Sequence, residues 1–275
     1  MKALLKNIAY LLLPEPILRR LKNAHYSRTF KTFSIELIPE YTIMSQLIPI
    51  GSTVLDIGAN IGLLSKCFSF LVGPGGRVYS LEPVPQTYDI LCSNITLLTF
   101  NNVVSMNYAV SDTETTAIMV IPTYQSRHGI DIQGNVYEGM GDNFYEAKII
   151  HENEREAASK HVTVETKKID SLFADYPGNI SFIKCDVEGH ELACILGSLK
   201  VIRRNKPALF IEVMGDRNEA DSSANRLFKI LRNEGYGSFY LNKGVLRPLD
   251  AKSNEINFFF LLPRHIAQLN SVIID

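Results

Sequence analysis

An α/β fold is expected here: a mostly parallel sheet with helices on both faces and an antiparallel hairpin at its C-terminal edge. Three observations point to it. From residue 52 onward, short apolar runs alternate with segments of helical period, the pattern of βαβ units. The first apolar run ends in a turn carrying Gly58 and Gly62, where open α/β sheets bind ligands. The last two apolar runs have no helical segment between them, as a closing hairpin requires. The 275 residues are 46% hydrophobic and 21% charged with a net charge of -1, which excludes a disordered or collagen-like chain. That balance gives no sign of a nucleic-acid partner.

Each element has its own reason. Thr53–Ile57 reads as a buried strand, and Gly62–Val72 is the helix after it, stopped by the glycines and proline of residues 73–76. Arg77–Leu81 is the second strand, and Pro85–Leu98 the second helix, with proline in its first turn. Val103–Val110 and Thr116–Ile121 read as strands, and so does His161–Ile169, with Val162 and Val164 alternating. Ile180–Val187 is a strong strand. His190–Arg204 is a helix, because Leu192, Ile195, Leu196 and Leu199 recur on one face. Ala208–Val213 is a strand and Ala220–Glu234 a helix ended by Gly235; Ser238–Leu241 and Ile256–Leu262 close the chain.

Two stretches fall outside the alternation. Residues 1–31 hold seven basic side chains and one acidic one, so the segment is +6 and the rest of the chain -7. Leu4, Leu5, Ile8, Leu11 and Leu12 form a short helical stripe, Pro14 and Pro16 interrupt it, and Ile17, Leu18 and Leu21 begin another. The plainer expectation is a helical cap packed on the main domain; the sharper one is a weak contact with a membrane surface. No apolar run approaches the ~20 residues that span a bilayer, and no secretory signal is visible. The expected location is cytoplasmic, peripheral at the inner face of a membrane if the basic stripe rests there. The four cysteines show no metal or disulfide spacing and read as reduced buried thiols. Residues 123–160 are a polar, glycine-bearing insertion, with Asn143 and Glu146 spaced as a capping box opening a helix to about Lys160. Such an insertion is a lid over a site or a surface excursion, and its position beside the strand ends favours the lid. The domains are thus a basic helical segment, 1–49, and a main domain, 50–275.

The turn after the first strand reads Asp56-x-Gly58-x-Asn60-x-Gly62, and Glu82 ends the next strand. Glycines there let backbone approach a ligand, the helix start favours a negative group, and a carboxylate at Glu82 can accept both hydrogen bonds of a ribose diol. These point to a nucleoside-containing cofactor. A dinucleotide fingerprint needs glycine where Asn60 and Leu63 stand. Asp56 instead suits a cationic amino-acid moiety, so S-adenosylmethionine fits better than a nicotinamide dinucleotide. A strand–turn–helix whose glycines serve packing alone is the alternative.

The second cluster is Asp186, Glu188, His190 and Glu191, four ionisable side chains within six positions at a strand end. Like charges so close push their pKa values apart, which is useful for acid–base work. His190 is the first candidate for a base, Glu188 the next, and Asp186 would orient the base or the acceptor. Glu212, at the end of the next strand, and Glu191 are candidate substrate ligands; for both, a structural role is the alternative, Glu191 as a favourable charge at a helix start. No metal is expected, although Asp, Glu and His are all ligand types.

The sequence resembles the FkbM family of S-adenosylmethionine-dependent methyltransferases. The resemblance rests on LDIGANIG at 55–62, LEPVP at 81–85 with Asn94 downstream, AVSD at 109–112 and IDSL at 169–172. It continues through FIKCDVEGHE at 182–191 with Gly197 beyond, Pro207–Val213, and NFFF at 257–260, in family order over about residues 50–262. It implies a Rossmann-like sheet of seven strands, with cofactor contacts near Asp56, Gly58, Asn60, Gly62 and Glu82. Ala109, Ser111 and Asp112 would lie near the adenine, and the DVEGHE segment would line the transfer site. The family mostly makes O-methyl groups on sugars and natural products, so the implied acceptor is a small molecule or glycan. A nicotinamide-dependent oxidoreductase and a non-catalytic cofactor-binding module are the rival readings; Asn60 and Leu63 argue against the first, and the intact 186–191 cluster against the second.

Overall fold

In the computed structural model, residues 14–121, 123–130, 136–142, 147–150, 160–250 and 253–269 are described. Helix α1 (Glu15–Thr32), a 3-10 turn (Ile35–Leu37) and helix α2 (Tyr41–Leu47) precede the alternating part. This begins β1 (Thr53–Ile57), α3 (Leu63–Val72), β2 (Arg77–Leu81), α4 (Pro85–Ile95) and β3 (Val103–Met106). A group of strands follows: β4 (Ala109–Val110), β5 (Thr116–Ile121), β6 (Thr123–Ile130), β7 (Val136–Asp142), β8 (Lys148–Ile150) and β9 (Lys160–Lys167). The chain then returns through α5 (Ile169–Leu172), β10 (Ile180–Cys185), α6 (Glu191–Leu196), α7 (Leu199–Asn205) and β11 (Ala208–Glu212). It ends with α8 (Ser223–Asn233), β12 (Gly237–Asn242), β13 (Val245–Pro248), β14 (Asn257–Leu261) and α9 (Pro263–Ile266).

The main sheet has the order β13-β12-β14-β11-β10-β1-β2-β3. Strands β11, β10, β1, β2 and β3 are parallel, and β14 runs antiparallel to both its neighbours. The chain winds outward from β1 to β3 and then comes back to β10 beside β1. That reversal opens a crevice at the carboxyl ends of β1 and β10, where such sheets bind ligands. Alternate side chains face opposite sides. Leu55, Ile183, Leu209 and Phe258 pack with the α7 and α8 residues Val201, Ile202, Leu227 and Phe228. Val54, Phe182, Phe210 and Phe259 pack with Met44 and Leu47 of α2 and Phe68 of α3. Burial on both faces is why these strands are mostly apolar rather than alternating.

Several expectations need correction. The sheet has an eighth strand, β13, and the edge hairpin is β12–β13, while β14 lies inside the sheet. Lys243 and Gly244, both at positive φ, make the two-residue turn that suits such a hairpin. The expected strand 103–110 is two strands in different sheets, because β4 leaves the main sheet to pair with β9. The expected helix 190–204 breaks at Gly197, where a Cβ would lie 2.0 Å from the Ser111 carbonyl oxygen.

Within the insertion, β6 and β7 form an antiparallel ribbon, and Lys148–Ile150 is strand rather than helix, paired with β5. Residues 143–146 and 151–159, the rest of the expected helix, lie outside the described residues. A second sheet, β4-β9-β5-β8, forms here and buries Met119, Ala147 and Val164 against Val84.

Helix α1 starts at Glu15, with Pro16 tolerated in the first turn, and its far end is built into the domain. Phe30 and Phe33 are buried with Ile61, Leu63, Cys67 and Ile90. Lys66 Nζ donates to the carbonyls of Phe30 and Phe33, both at 2.8 Å, closing the helix C-terminus. The basic stripe before residue 14 lies outside the described residues. Among the described residues no helix is long and apolar enough to cross a membrane. The four cysteines form no disulfide.

Candidate functional site

A cavity of about 470 Å³ opens at the carboxyl ends of β1, β2, β10 and β11, within the ordinary range for small-molecule sites, about 300–1,000 Å³. The turn after β1 forms its floor. Gly58 and Ala59 both donate backbone N–H bonds to the Leu81 carbonyl, at 3.0 and 2.9 Å, so the turn hooks over β2. Gly58 has φ +74°, and a Cβ there would sit 1.8 Å from the Asp186 carbonyl oxygen. Only glycine lets the two strand ends approach this closely. Asn60, left-handed at φ +51°, accepts the Ile61 N–H on Oδ1 at 2.8 Å, a local bond that suits asparagine to this backbone.

Glu82 is buried on the wall of this cavity, and its carboxylate is held by main chain. Asn60 N donates to Oε2 at 3.0 Å and Val84 N to Oε1 at 2.9 Å. Asn107 fixes the carbonyls of Glu82 and Pro83 from behind, at 2.8 and 2.9 Å. Burial pushes the Glu82 carboxyl up to about 7, against the pull of the two amides and of Lys184. Each oxygen keeps acceptor capacity for a ligand hydroxyl.

The turn after β10 supplies the opposite wall. Asp186, Glu188 and His190 line the cavity, joined by Glu212 from the end of β11. Glu188 is left-handed at φ +54°, followed by Gly189 at +99°. A non-glycine residue held this way costs ~1–3 kcal/mol and marks a backbone shaped by its surroundings. Burial pushes Glu212 up to about 7, and the negative charges of Asp186 and Glu188 push the same way, with Lys184 opposing. His190 Nε2 lies 3.0 Å from Ser111 Oγ, and Ser111 Oγ donates to Asp112 Oδ1 at 3.3 Å.

The expected residues therefore separate. Gly58, Asn60, Glu82, Ala109, Asp186, Glu188, His190 and Glu212 stand on the cavity wall. Five others stand behind it. Asp56 is fully buried, accepts from Ser65 Oγ at 2.6 Å and faces Lys184 Nζ at 3.7 Å, as an internal brace. Gly62 caps α3 at φ +91° and packs where a Cβ would meet Leu91 Cδ1 at 2.7 Å. Ser111 and Asp112 stand behind His190. Glu191 is buried in the first turn of α6, where it accepts the Gly189 N–H at 2.7 Å; burial raises its pKa. Among the described residues no His, Cys, Asp and Glu group could hold a metal ion.

Sequence reasoning missed Lys184, buried on β10 between the two turns, and the flanking wall residues Thr29, Tyr108, Met119 and Ile149. Lys184 did carry a signal, since lysine in an apolar strand is rare unless paired. Met119 and Ile149 carried none, because they arrive through the second sheet.

The family model described as Methyltransferase FkbM domain matches residues 56–237, more than half of the chain. A protein-L-isoaspartate O-methyltransferase of Aeropyrum pernix is 38% identical over 56 residues, 20% of this chain and 22% of that protein. Its counterpart protein-L-isoaspartate O-methyltransferase 2 of Arabidopsis thaliana is 38% identical over 45 residues, 16% of this chain and 15% of that protein. The chain thus spans less than a quarter of the length of these curated relatives. Among solved structures, the methyltransferase FkbM from Methylobacillus flagellatus KT has a TM-score of 0.45 at 15% identity, covering 77% of this chain and 44% of that one. Cofactor-bound Rv0187 from MTB has a TM-score of 0.46 at 11% identity, covering 92% and 93%. The family match runs from Asp56 to Gly237 and so takes in both turns that meet at the cavity; the chain belongs to the FkbM methyltransferase family.

Proposed function

We propose that this protein moves a methyl group from S-adenosylmethionine to a hydroxyl of a sugar, glycan or natural product. The observation that supports it most is one cavity joining Glu82, placed to accept hydroxyl donors, to His190, backed by Ser111 and Asp112. The residues present fit that cofactor. Glu82 would hold the ribose hydroxyls, the apolar side chains of Val84 and Ala109 would take the base, and the acidic wall suits a cation. When bound, the cofactor supplies an electrophilic methyl group with a neutral thioether as leaving group.

The protein's own work is then alignment, exclusion of water and handling of one proton. Alignment of the reacting atoms is worth ~7–11 kcal/mol. Ser111 Oγ, which donates to Asp112 Oδ1 and lies 3.0 Å from His190 Nε2, would orient the imidazole. His190 would take the acceptor's proton. Glu188 and Glu212 would hold neighbouring hydroxyls, and Glu212, held near neutrality, can donate or accept. Ala147 and Ile149, from the 123–160 insertion, and Met119 form an apolar side of the cavity, which supports a role for that insertion as a cap on the acceptor.

The test is to incubate the protein with methyl-labelled S-adenosylmethionine and hydroxyl-bearing acceptors, then treat the product with mild base. Label that survives as a methyl ether is expected; label released as methanol marks a carboxyl ester and overturns the hydroxyl assignment. His190→Ala should lower turnover about 10²–10⁴-fold with cofactor affinity unchanged. Wild-type turnover in that variant would remove His190 as the base.

A further inference from the structure

We propose that Lys184 is the positioning residue of this site, a buried ammonium that ties the turn after β1 to the turn after β10 and balances the acidic wall between them. Lys184 is 3% exposed, in the middle of the main sheet, directly across from Asp56. Its Nζ donates to the Gly58 carbonyl at 2.7 Å and the Ile57 carbonyl at 3.2 Å. It lies 3.4 Å from Asp186 Oδ2 and 3.7 Å from Asp56 Oδ1. One cation thus holds the floor of the cavity, a carboxylate of its opposite wall and the brace beneath both.

A buried pair that served the core alone would be sealed within it, and an apolar replacement of like volume would often serve as well. This one is not sealed, because Lys184 also stands on the cavity wall. Its charge reaches both carboxyl groups that sit near neutrality. Glu82 is faced by Asp56, Lys184 and the amides of Asn60 and Val84. Glu212 is faced by Asp186, Glu188, Glu191 and Lys184. Without the ammonium both keep their protons to higher pH, and the Gly58 carbonyl loses its donor. Neutralising Asp56 therefore accounts for part of the residue's environment, and the two turns for the rest.

The inference rests on the cofactor reading for the identity of the ligand. S-adenosylhomocysteine binding is measured by calorimetry from pH 6 to 8.5, with thermal unfolding alongside. The proteins are wild type, Lys184→Met, Lys184→Met/Asp56→Asn and Lys184→Arg. Lys184→Met is expected to bind at least tenfold more weakly, with the pH midpoint of binding moved upward. The double variant removes both buried charges, whose effects on Glu82 oppose each other, so it should recover thermal stability and part of the midpoint without recovering affinity. Lys184→Arg keeps the charge and shifts its position, so the midpoint should stay at the wild-type value while affinity remains lower. Wild-type affinity in the folded double variant would reduce Lys184 to a partner for Asp56 and overturn the proposal. Should neither Met-containing protein fold, wild-type affinity in Lys184→Arg would do the same. Wild-type protein that binds no S-adenosylhomocysteine sinks the cofactor reading, a result distinct from variants that all bind alike.

Discussion

Gly58 and Gly62 share a left-handed backbone for different reasons. A methyl group at Gly58 would meet the Asp186 carbonyl, which is main chain and cannot turn aside; at Gly62 it would meet the tip of Leu91, which can. Both substitutions carry left-handed strain of ~1–2 kcal/mol. Gly58→Ala is therefore expected to lose S-adenosylhomocysteine affinity more than tenfold along with stability. Gly62→Ala should lose stability and keep affinity within about threefold, using the binding energy scale of ~1.4 kcal/mol per tenfold. Thermal unfolding and calorimetry on the pair check this, and equal affinity losses would refute it. The sequence shows that both glycines sit in a turn, because spacing reports local backbone. It does not show which one lines the cavity, because that depends on what crosses it from β10. The same limit explains Asp56: its place at a strand end is legible, but its burial depends on the register that sets Lys184 opposite.

At the scale of elements, the helices and strands with a strong period were legible, and the breaks were not. The segment 190–204 keeps an apolar face throughout, yet the helix stops at Gly197 because the chain beyond β4 passes there. Helix α1 shows how one distant side chain completes an element. Lys66 on α3 satisfies the carbonyls of Phe30 and Phe33 at its C-terminal end, next to Thr29 on the cavity wall. Burial lowers the Lys66 pKa, a cost the three carbonyl contacts, including the longer one to Lys31, offset. Lys66→Met leaves those carbonyls without their donor, at ~1–3 kcal/mol where they are shielded from water. Amide exchange in the last turns of α1 should quicken, and S-adenosylhomocysteine should dissociate faster, while exchange in β1 and β10 stays unchanged. Unaltered exchange across α1 would show that the lysine is not what holds the helix end.

For the whole molecule, the alternating part of the main sheet was readable because few topologies satisfy repeated βαβ units. The second sheet was not, since β5 pairs with β9 across the insertion, Thr116 opposite Glu165, and neither strand announces its partner. The cavity lies where the two sheets meet, and its buried carboxyl groups make global stability depend on pH. Glu82 and Glu212 titrate near 7 when folded against a usual value of 4.5. Between those values the folded chain holds more protons than the unfolded one, so their contribution to stability is full below about 4.5 and is lost as pH rises through about 7. His265 works in the opposite sense, since burial, aided by Arg264, holds it down to about 4 against 6.5; its contribution is present above 6.5 and lost as pH falls towards 4. Comparing wild type with Glu82→Gln at each pH cancels the histidine and isolates one carboxyl. The advantage of wild type over Glu82→Gln should be largest near pH 5 and shrink by about 1.4 kcal/mol per pH unit towards pH 7. Urea unfolding of the unliganded proteins from pH 5 to 8 measures it. Parallel pH curves for the two proteins would mean that burial does not hold the Glu82 proton.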